Sequence, residues 1–262
     1  MSRATVWDDL NERLADSLGR PFTYQGHSTV SLHFDMRSIQ SKMSLNDPDR
    51  LMLGYTRTMM ASLLFKPAPE QIVLIGLGGG SLVKYCRRHL PMAQIVVAEI
   101  NPHIIALRDA FQIPADDEQQ QIHCCDGAAF VRARAAVPDL LLLDGFDAEG
   151  QAPSLCTQDF YDDCYSTLAD DGVMVLNLYG ADPLYRLYID RVQQRFGDQV
   201  VVIRSEDCLN KIVFAGKGSG LRCTDAQLLF NARQLGQQHP LRLSYFAKQL
   251  ILSRRESYLL AR

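Results

Sequence analysis

The run Ile72-Val73-Leu74-Ile75-Gly76-Leu77-Gly78-Gly79-Gly80-Ser81-Leu82 constrains the fold more than any other stretch. Four apolar residues lead into a glycine cluster with no polar alternation. Such a run predicts a strand buried on both faces of a parallel sheet. The glycines let the chain turn sharply and let a ligand approach the backbone closely. Leu82, Val83, Tyr85 and Cys86 then follow at helical spacing towards His89. Strand, glycine-rich turn and helix open a nucleotide-binding unit, although the same turn also serves as a plain strand-to-helix connection. The next apolar run, residues 94 to 98, ends in Glu99, nineteen residues past Gly80. An acid at that distance is placed to accept the hydroxyls of a ribose.

From residue 71 onward strands and helices alternate, which predicts a parallel sheet covered on both faces. Further strands are expected at residues 122 to 125, 139 to 143 and 173 to 178. Asn101-Pro102 starts a helix that runs to Phe111, with Asn as cap and Pro in the first turn. Residues 128 to 136 form another, Thr157 caps a third, and residues 183 to 196 form a fourth. The stretches 199 to 203 and 211 to 215 are separated by about seven residues with no helix. That is too short for a parallel crossover, so the last strand is antiparallel. Residues 224 to 235 form a helix, and a second helical stretch follows the break at Pro240.

Ahead of this unit the pattern differs. Trp7, Leu10, Leu14 and Leu18 are spaced as a helix over residues 5 to 18. Residues 22 to 34 switch to a period near two, residues 38 to 45 form a second strand candidate, and residues 51 to 65 return to helical spacing. Lys66-Pro67-Ala68-Pro69-Glu70 is a rigid connector. It divides a small module of helix and strands, residues 1 to 66, from a nucleoside-binding domain, residues 67 to 262.

Composition narrows the function. The 262 residues are 47% hydrophobic and 22% charged, with a net charge of −3. That balance gives no reason to expect nucleic-acid or membrane-surface binding. No apolar run approaches the ~20 residues of a membrane span, and Met1-Ser2-Arg3 leads into polar sequence. Seven cysteines without a CxxC pair read as reduced thiols of a cytoplasmic protein; Cys124-Cys125 is expected as core filler. The scattered histidines predict no metal site. What remains is a small-molecule site beyond the carboxyl ends of the strands. Four of those ends carry chemistry: Gly76 to Gly80, Glu99, Asp126 and Asp144. Glu99 would bind a ribose, Asp126 would accept from an adenine amino group, and Asp144 would face the reacting end. The turn lacks the Gly-Lys-Ser/Thr of a phosphate loop, so a nucleoside without a phosphate tail is expected.

These residues resemble the spermidine synthases (polyamine aminopropyltransferases). The resemblance covers roughly residues 22 to 216. It is carried by Val73-Leu74-Ile75-Gly76-Leu77-Gly78-Gly79-Gly80-Ser81, Val97-Ala98-Glu99-Ile100-Asn101-Pro102, Cys125-Asp126-Gly127-Ala128, Leu143-Asp144-Gly145-Phe146-Asp147, Asp159-Phe160-Tyr161 and Asp171-Gly172-Val173. It implies an α/β, Rossmann-like class I methyltransferase fold: a mostly parallel seven-stranded sheet with an antiparallel last strand, preceded by a small β-strand module. It implies a donor, decarboxylated S-adenosylmethionine or S-adenosylmethionine itself, with no metal, a small amine or other small acceptor, and a homodimer. By the same resemblance Gly76, Gly78, Gly79, Gly80, Glu99, Asp126 and Gly127 bind the donor, and Gln40 falls near a nucleoside-contacting glutamine. Asp144 and Asp147 match the two acids of an Asp-x-x-Asp motif, the first taking the proton from, or orienting, the attacking amine. Tyr55, Arg57 and Tyr179 fall on the acceptor side.

Two departures stand out. The family carries an Asp in the glycine loop, where this chain has Gly79, Gly80 or Ser81. It also carries Tyr-His/Gln-Glu where this chain has Tyr55-Thr56-Arg57. A like-charge contact in place of an ion pair is a swing of several kcal/mol at ~4 Å and an effective dielectric of ~20. Arg57 therefore either faces a carboxylate, of intact donor or of an anionic acceptor, or pairs with Asp47 or Asp49. The resemblance implies aminopropyl transfer first, with methyl transfer and nucleoside binding without catalysis as the alternatives.

Overall fold

Strand β4 (Gln71–Ile75) lies in the interior of a seven-stranded sheet. The structure is a computed structural model that describes residues 20–35, 39–146 and 150–260, the last five for the backbone only. The expected helix over residues 5 to 18 lies outside the described residues. Ile72 and Leu74 of β4 enter one apolar cluster, and Val73 and Ile75 enter the other. All four are at most 2% exposed. A strand with two buried faces has no use for polar alternation, which is why the run reads as continuous.

Around β4 the strands β5 (Gln94–Glu99), β6 (Gln120–Cys124), β7 (Leu140–Leu143), β8 (Val173–Leu178), β9 (Val200–Arg204) and β10 (Lys211–Gly216) take the order β6-β5-β4-β7-β8-β10-β9. The first five in that order run parallel. β10 is antiparallel to both β8 and β9. The last strand is thus antiparallel, and it is inserted inside the sheet rather than added at its edge.

Helices cover both faces. Under the Ile72 and Leu74 face lie α1 (Gly54–Met59), α2 (Ser81–His89), α7 (Asp225–Leu235) and α8 (Leu243–Leu260). Over the other face lie α4 (Gly127–Arg132), α5 (Gln158–Thr167) and α6 (Tyr185–Phe196). Each fully buried Leu, Ile or Phe in these layers stabilises the fold by roughly 1.5–3 kcal/mol relative to exposure. A separate antiparallel sheet, β1 (Phe22–Gln25), β2 (Thr29–His33) and β3 (Ser41–Ser44), precedes this unit. Its Val30, Leu32 and Met43 join the same apolar cluster as β4. No helix among the described residues is long and apolar enough to cross a membrane.

Three local expectations are corrected. The helix after Asn101 is one turn long, α3 (Pro102–Ile105), and does not reach Phe111. The chain leaves it so that Phe111 and Ile113 bury against Gly79 and Gly80, with Gln112 at φ 51°. α4 stops at Arg132 instead of residue 136, and Arg134 at φ 50° turns the chain out. β6 is an edge strand, so Cys124 is exposed and Cys125 half-buried; neither fills the core.

Candidate active site

The carboxyl ends of β4 to β8, with the β9–β10 turn and residues before α1, enclose a cavity of about 1020 Å³. The glycine turn forms its floor. Gly76 has φ 96°, and a Cβ there would lie 2.4 Å from the carbonyl oxygen of Asp144. Only glycine lets β4 and β7 close against each other at this point. Gly76 and Gly78 line the cavity, whereas Gly79 and Gly80 face Phe111 and Ile113. A side chain on either of the last two would collide with that packing.

Glu99 ends β5 and is 7% exposed. Its Oε2 accepts from the Leu77 amide at 2.8 Å and its Oε1 from the Asn101 amide at 2.8 Å. Each carboxylate oxygen keeps a second lone pair for a ligand hydroxyl. Asp126 follows β6 and caps α4, its Oδ1 accepting from the Ala129 amide at 2.7 Å. Gly127 has no room for a side chain: a Cβ would lie 2.3 Å from Ile75 Cγ2. Both Asp126 and Gly127 line the cavity.

Asp144 follows β7, and its environment is built from side chains. Asn177 Nδ2 donates to its Oδ1 at 2.8 Å, and Asn210 Nδ2 donates to Asn177 Oδ1 at 2.8 Å. The Tyr55 hydroxyl donates to the Gln40 carbonyl oxygen at 3.4 Å and lies near enough to the same carboxyl to interact with it. Burial raises the Asp144 pKa, the Asn177 and Tyr55 hydrogen bonds pull it back down, and the charge of Glu99 raises it again; the net shift is upward. Burial, then the negative charge of Asp144, holds the Tyr55 phenol well above its ordinary value. Tyr55 therefore stays protonated and donates. Tyr179, just past β8, lines the mouth at 48% exposed.

Gln40 lines the cavity, as do Asp35 and Asp207, two acids that the sequence reading left out. Asp147 lies outside the described residues. Arg57 stands apart. It is not among the lining residues. Its Nε donates to Glu206 at 2.5 Å and its Nη2 to Asp207 at 3.1 Å, while Nη1 donates to the Leu51 and Met52 carbonyls. It does not pair with Asp47 or Asp49, which take Arg88 instead. In place of a ligand carboxylate Arg57 meets Glu206 and Asp207, and four of its five N–H groups are engaged within the protein. Asn177 and Asn210 are the functional neighbours that sequence reasoning missed. Their only signal was position, at the end of β8 and the start of β10.

Five carboxylates, Asp35, Glu99, Asp126, Asp144 and Asp207, line this cavity, and no Lys, Arg or His does so among the described residues. A wall of one sign with apolar surroundings concentrates ligands of the other sign.

The spermine/spermidine synthase domain matches the chain over residues 52–208. A polyamine aminopropyltransferase of Chromobacterium violaceum is 38% identical over 190 residues, which is 72% of this chain and 73% of that protein. Among solved structures, spermidine synthase from Thermotoga maritima aligns with a TM-score of 0.62 at 18% identity, covering 88% of this chain and 82% of that one. Human methyltransferase-like protein 13, in complex with SAH, aligns with a TM-score of 0.64 at 23% identity, covering 71% and 91%. At these identities the two structures establish the class I methyltransferase fold alone.

Proposed function

The chain belongs to the spermine/spermidine synthase family, and from that premise we propose that it moves the aminopropyl group of decarboxylated S-adenosylmethionine to an amine. The single observation that carries this reading is that every charged residue lining the cavity, among the described residues, is an acid. The decarboxylated donor is a sulfonium with an ammonium and no carboxylate. The acceptor is an amine. Both are cations, and the wall favours both.

Glu99 holds the ribose through the oxygens already ordered by Leu77 and Asn101, and Asp126 accepts from the adenine amino group. The amine nitrogen attacks the carbon next to sulfur. A C–N bond forms, the C–S bond breaks, and 5′-methylthioadenosine leaves with the electron pair. Asp144 orients the nitrogen and takes its proton. The raised pKa of Asp144 brings it closer to a working base near neutral pH. Much of the remaining rate comes from aligning the two reactants over the glycine turn. All seven cysteines are free thiols, which fits the cytoplasm, and the family resemblance extends the reading to a homodimer.

Calorimetric titration tests the donor. Decarboxylated S-adenosylmethionine and 5′-methylthioadenosine are expected to bind at least tenfold more tightly than intact S-adenosylmethionine, whose carboxylate meets the acidic wall. Product analysis with a set of amines then follows. A preference for the intact donor would move the assignment to methyl transfer, and binding of none would point to a different ligand.

A further inference from the structure

Across the carboxyl edge the chemistry follows the strand order. Asp126 stands beyond β6, Glu99 at the end of β5, the glycine turn beyond β4, Asp144 beyond β7, Asn177 on β8 and Asn210 before β10. The nucleoside side and the acceptor side therefore lie on opposite flanks of the glycine turn. Asp207 occupies the far acceptor flank, in the β9–β10 turn. β10 is two strand positions from β7, on the order of 10 Å at the usual strand spacing.

The position of Asp207 is built. The turn is closed by the Ser205 amide on the Asn210 carbonyl at 3.0 Å and by Ser205 Oγ on the Cys208 carbonyl at 3.1 Å. Asp207 Oδ2 accepts from the Gly54 amide at 3.0 Å and from Arg57 Nη2 at 3.1 Å. Oδ1 accepts no hydrogen bond from the described residues, and a Cβ on Gly54 would sit 1.9 Å from it. The bare Gly54 thus admits the carboxylate. Glu206, 7% exposed and 2.5 Å from Arg57 Nε, balances the guanidinium. Arg242, which also reaches Glu206, is 70% exposed in solvent. Two guanidinium groups and two carboxylates meet here, and Asp207 is the half-exposed member that reaches the cavity wall.

We propose that Asp207 binds the ammonium at the far end of a diamine acceptor whose near nitrogen faces Asp144. This rests on the aminopropyl-transfer reading. Asp144 and Asp207 line one cavity, and the roughly 10 Å strand spacing from β7 to β10 is the scale of a short aliphatic diamine hydrogen-bonded at both ends. On this view Arg57 is a positioning residue: it holds Asp207 in place instead of meeting the ligand.

Initial rates with a four-carbon diamine and a four-carbon monoamine test the proposal. Asp207→Asn is expected to raise the diamine KM at least tenfold, with kcat within about twofold and a several-fold smaller loss of kcat/KM for the monoamine. An equal loss for both amines, or an unchanged diamine KM, overturns it. If Asn leaves the protein unfolded by thermal melting, Asp207→Glu serves: the longer carboxylate shifts the preferred diamine to a shorter chain, and an unchanged length preference overturns the idea. Should the wild type transfer to no amine, the parent reading fails. Titration of the diamine into the 5′-methylthioadenosine complex then decides: tenfold weaker binding to Asp207→Asn supports the anchor, and equal binding removes it.

Discussion

Glu99 and Asp144 both follow strands of one sheet, yet they are held by different means. Glu99 accepts from two backbone amides, Leu77 and Asn101, within twenty-two residues of itself. Asp126 likewise uses the Ala129 amide three residues on. Asp144 is held by the side chains of Tyr55, Asn177 and, through Asn177, Asn210. The flank proposed for the donor is made of short-range backbone geometry. The acceptor flank is assembled from segments up to 155 residues apart, Tyr55 to Asn210. Backbone amides cannot be mutated away, so the donor flank tolerates drift in its neighbours. Side-chain donors can be exchanged one by one, so the acceptor flank is where specificity can change on a constant fold.

The largest expected effect breaks the two flanks apart. Asp144→Asn keeps the shape and removes the base, so kcat should fall roughly 10²- to 10⁴-fold. Nucleoside affinity should stay within a few-fold, because Glu99 and Asp126 are untouched. Single-turnover rates and calorimetry on the same protein check both halves. A loss of nucleoside binding equal to the loss of rate would show that the flanks are not separable.

A smaller effect sharpens the side-chain half. Asn177 is 1% exposed and donates to Asp144 Oδ1. That hydrogen bond favours the carboxylate form. Asn177→Ala removes it, so a pKa already raised by burial rises further. The base works deprotonated, so activity present above its pKa is lost as pH falls. The acid limb of the kcat profile should move up by about 1–2 units, since a hydrogen bond to a charged group is worth about 1.5–3 kcal/mol and one unit is about 1.4 kcal/mol. The same raised pKa removes folded-state stability as pH rises from the ordinary carboxylate value through the shifted one. An unmoved acid limb would mean that Asp144 is not the titrating group.

The contrast also explains what the sequence disclosed. The run from Ile72 to Ile75 announced its strand because both faces are buried, and the seven-residue gap before β10 announced an antiparallel partner. Glu99 and Asp126 could be placed because a strand-to-helix turn puts them at fixed offsets. Asp207 could not, because its place depends on Gly54 and Arg57, 153 and 150 residues away. Arg57 was legible as a departure, but its expected partners were a ligand carboxylate or Asp47 or Asp49, since nothing local names Glu206. Beside Gly79 and Gly80 the structure places Phe111 and Ile113, which come from a segment whose helical pattern concealed a turn.

The smallest effect asks whether the donor flank does more than shape the backbone. Asp126 has a structural duty as the cap of α4. Serine caps about as well, so Asp126→Ser should leave the melting temperature nearly unchanged, whereas Asp126→Ala should cost about 1 kcal/mol. An adenine amino group donating to Asp126 would lose a charged acceptor in both variants, weakening nucleoside binding about tenfold, or ~1.4 kcal/mol. Serine therefore separates the two duties that aspartate combines. Calorimetric affinity that falls for Ser and Ala alike, with stability lost only for Ala, would place Asp126 on the ligand. Affinity unchanged in both would leave it a cap. The donor flank would then recognise its nucleoside through Glu99 and the glycine turn, and the split between backbone-built and side-chain-built halves would run one strand closer to the centre of the sheet.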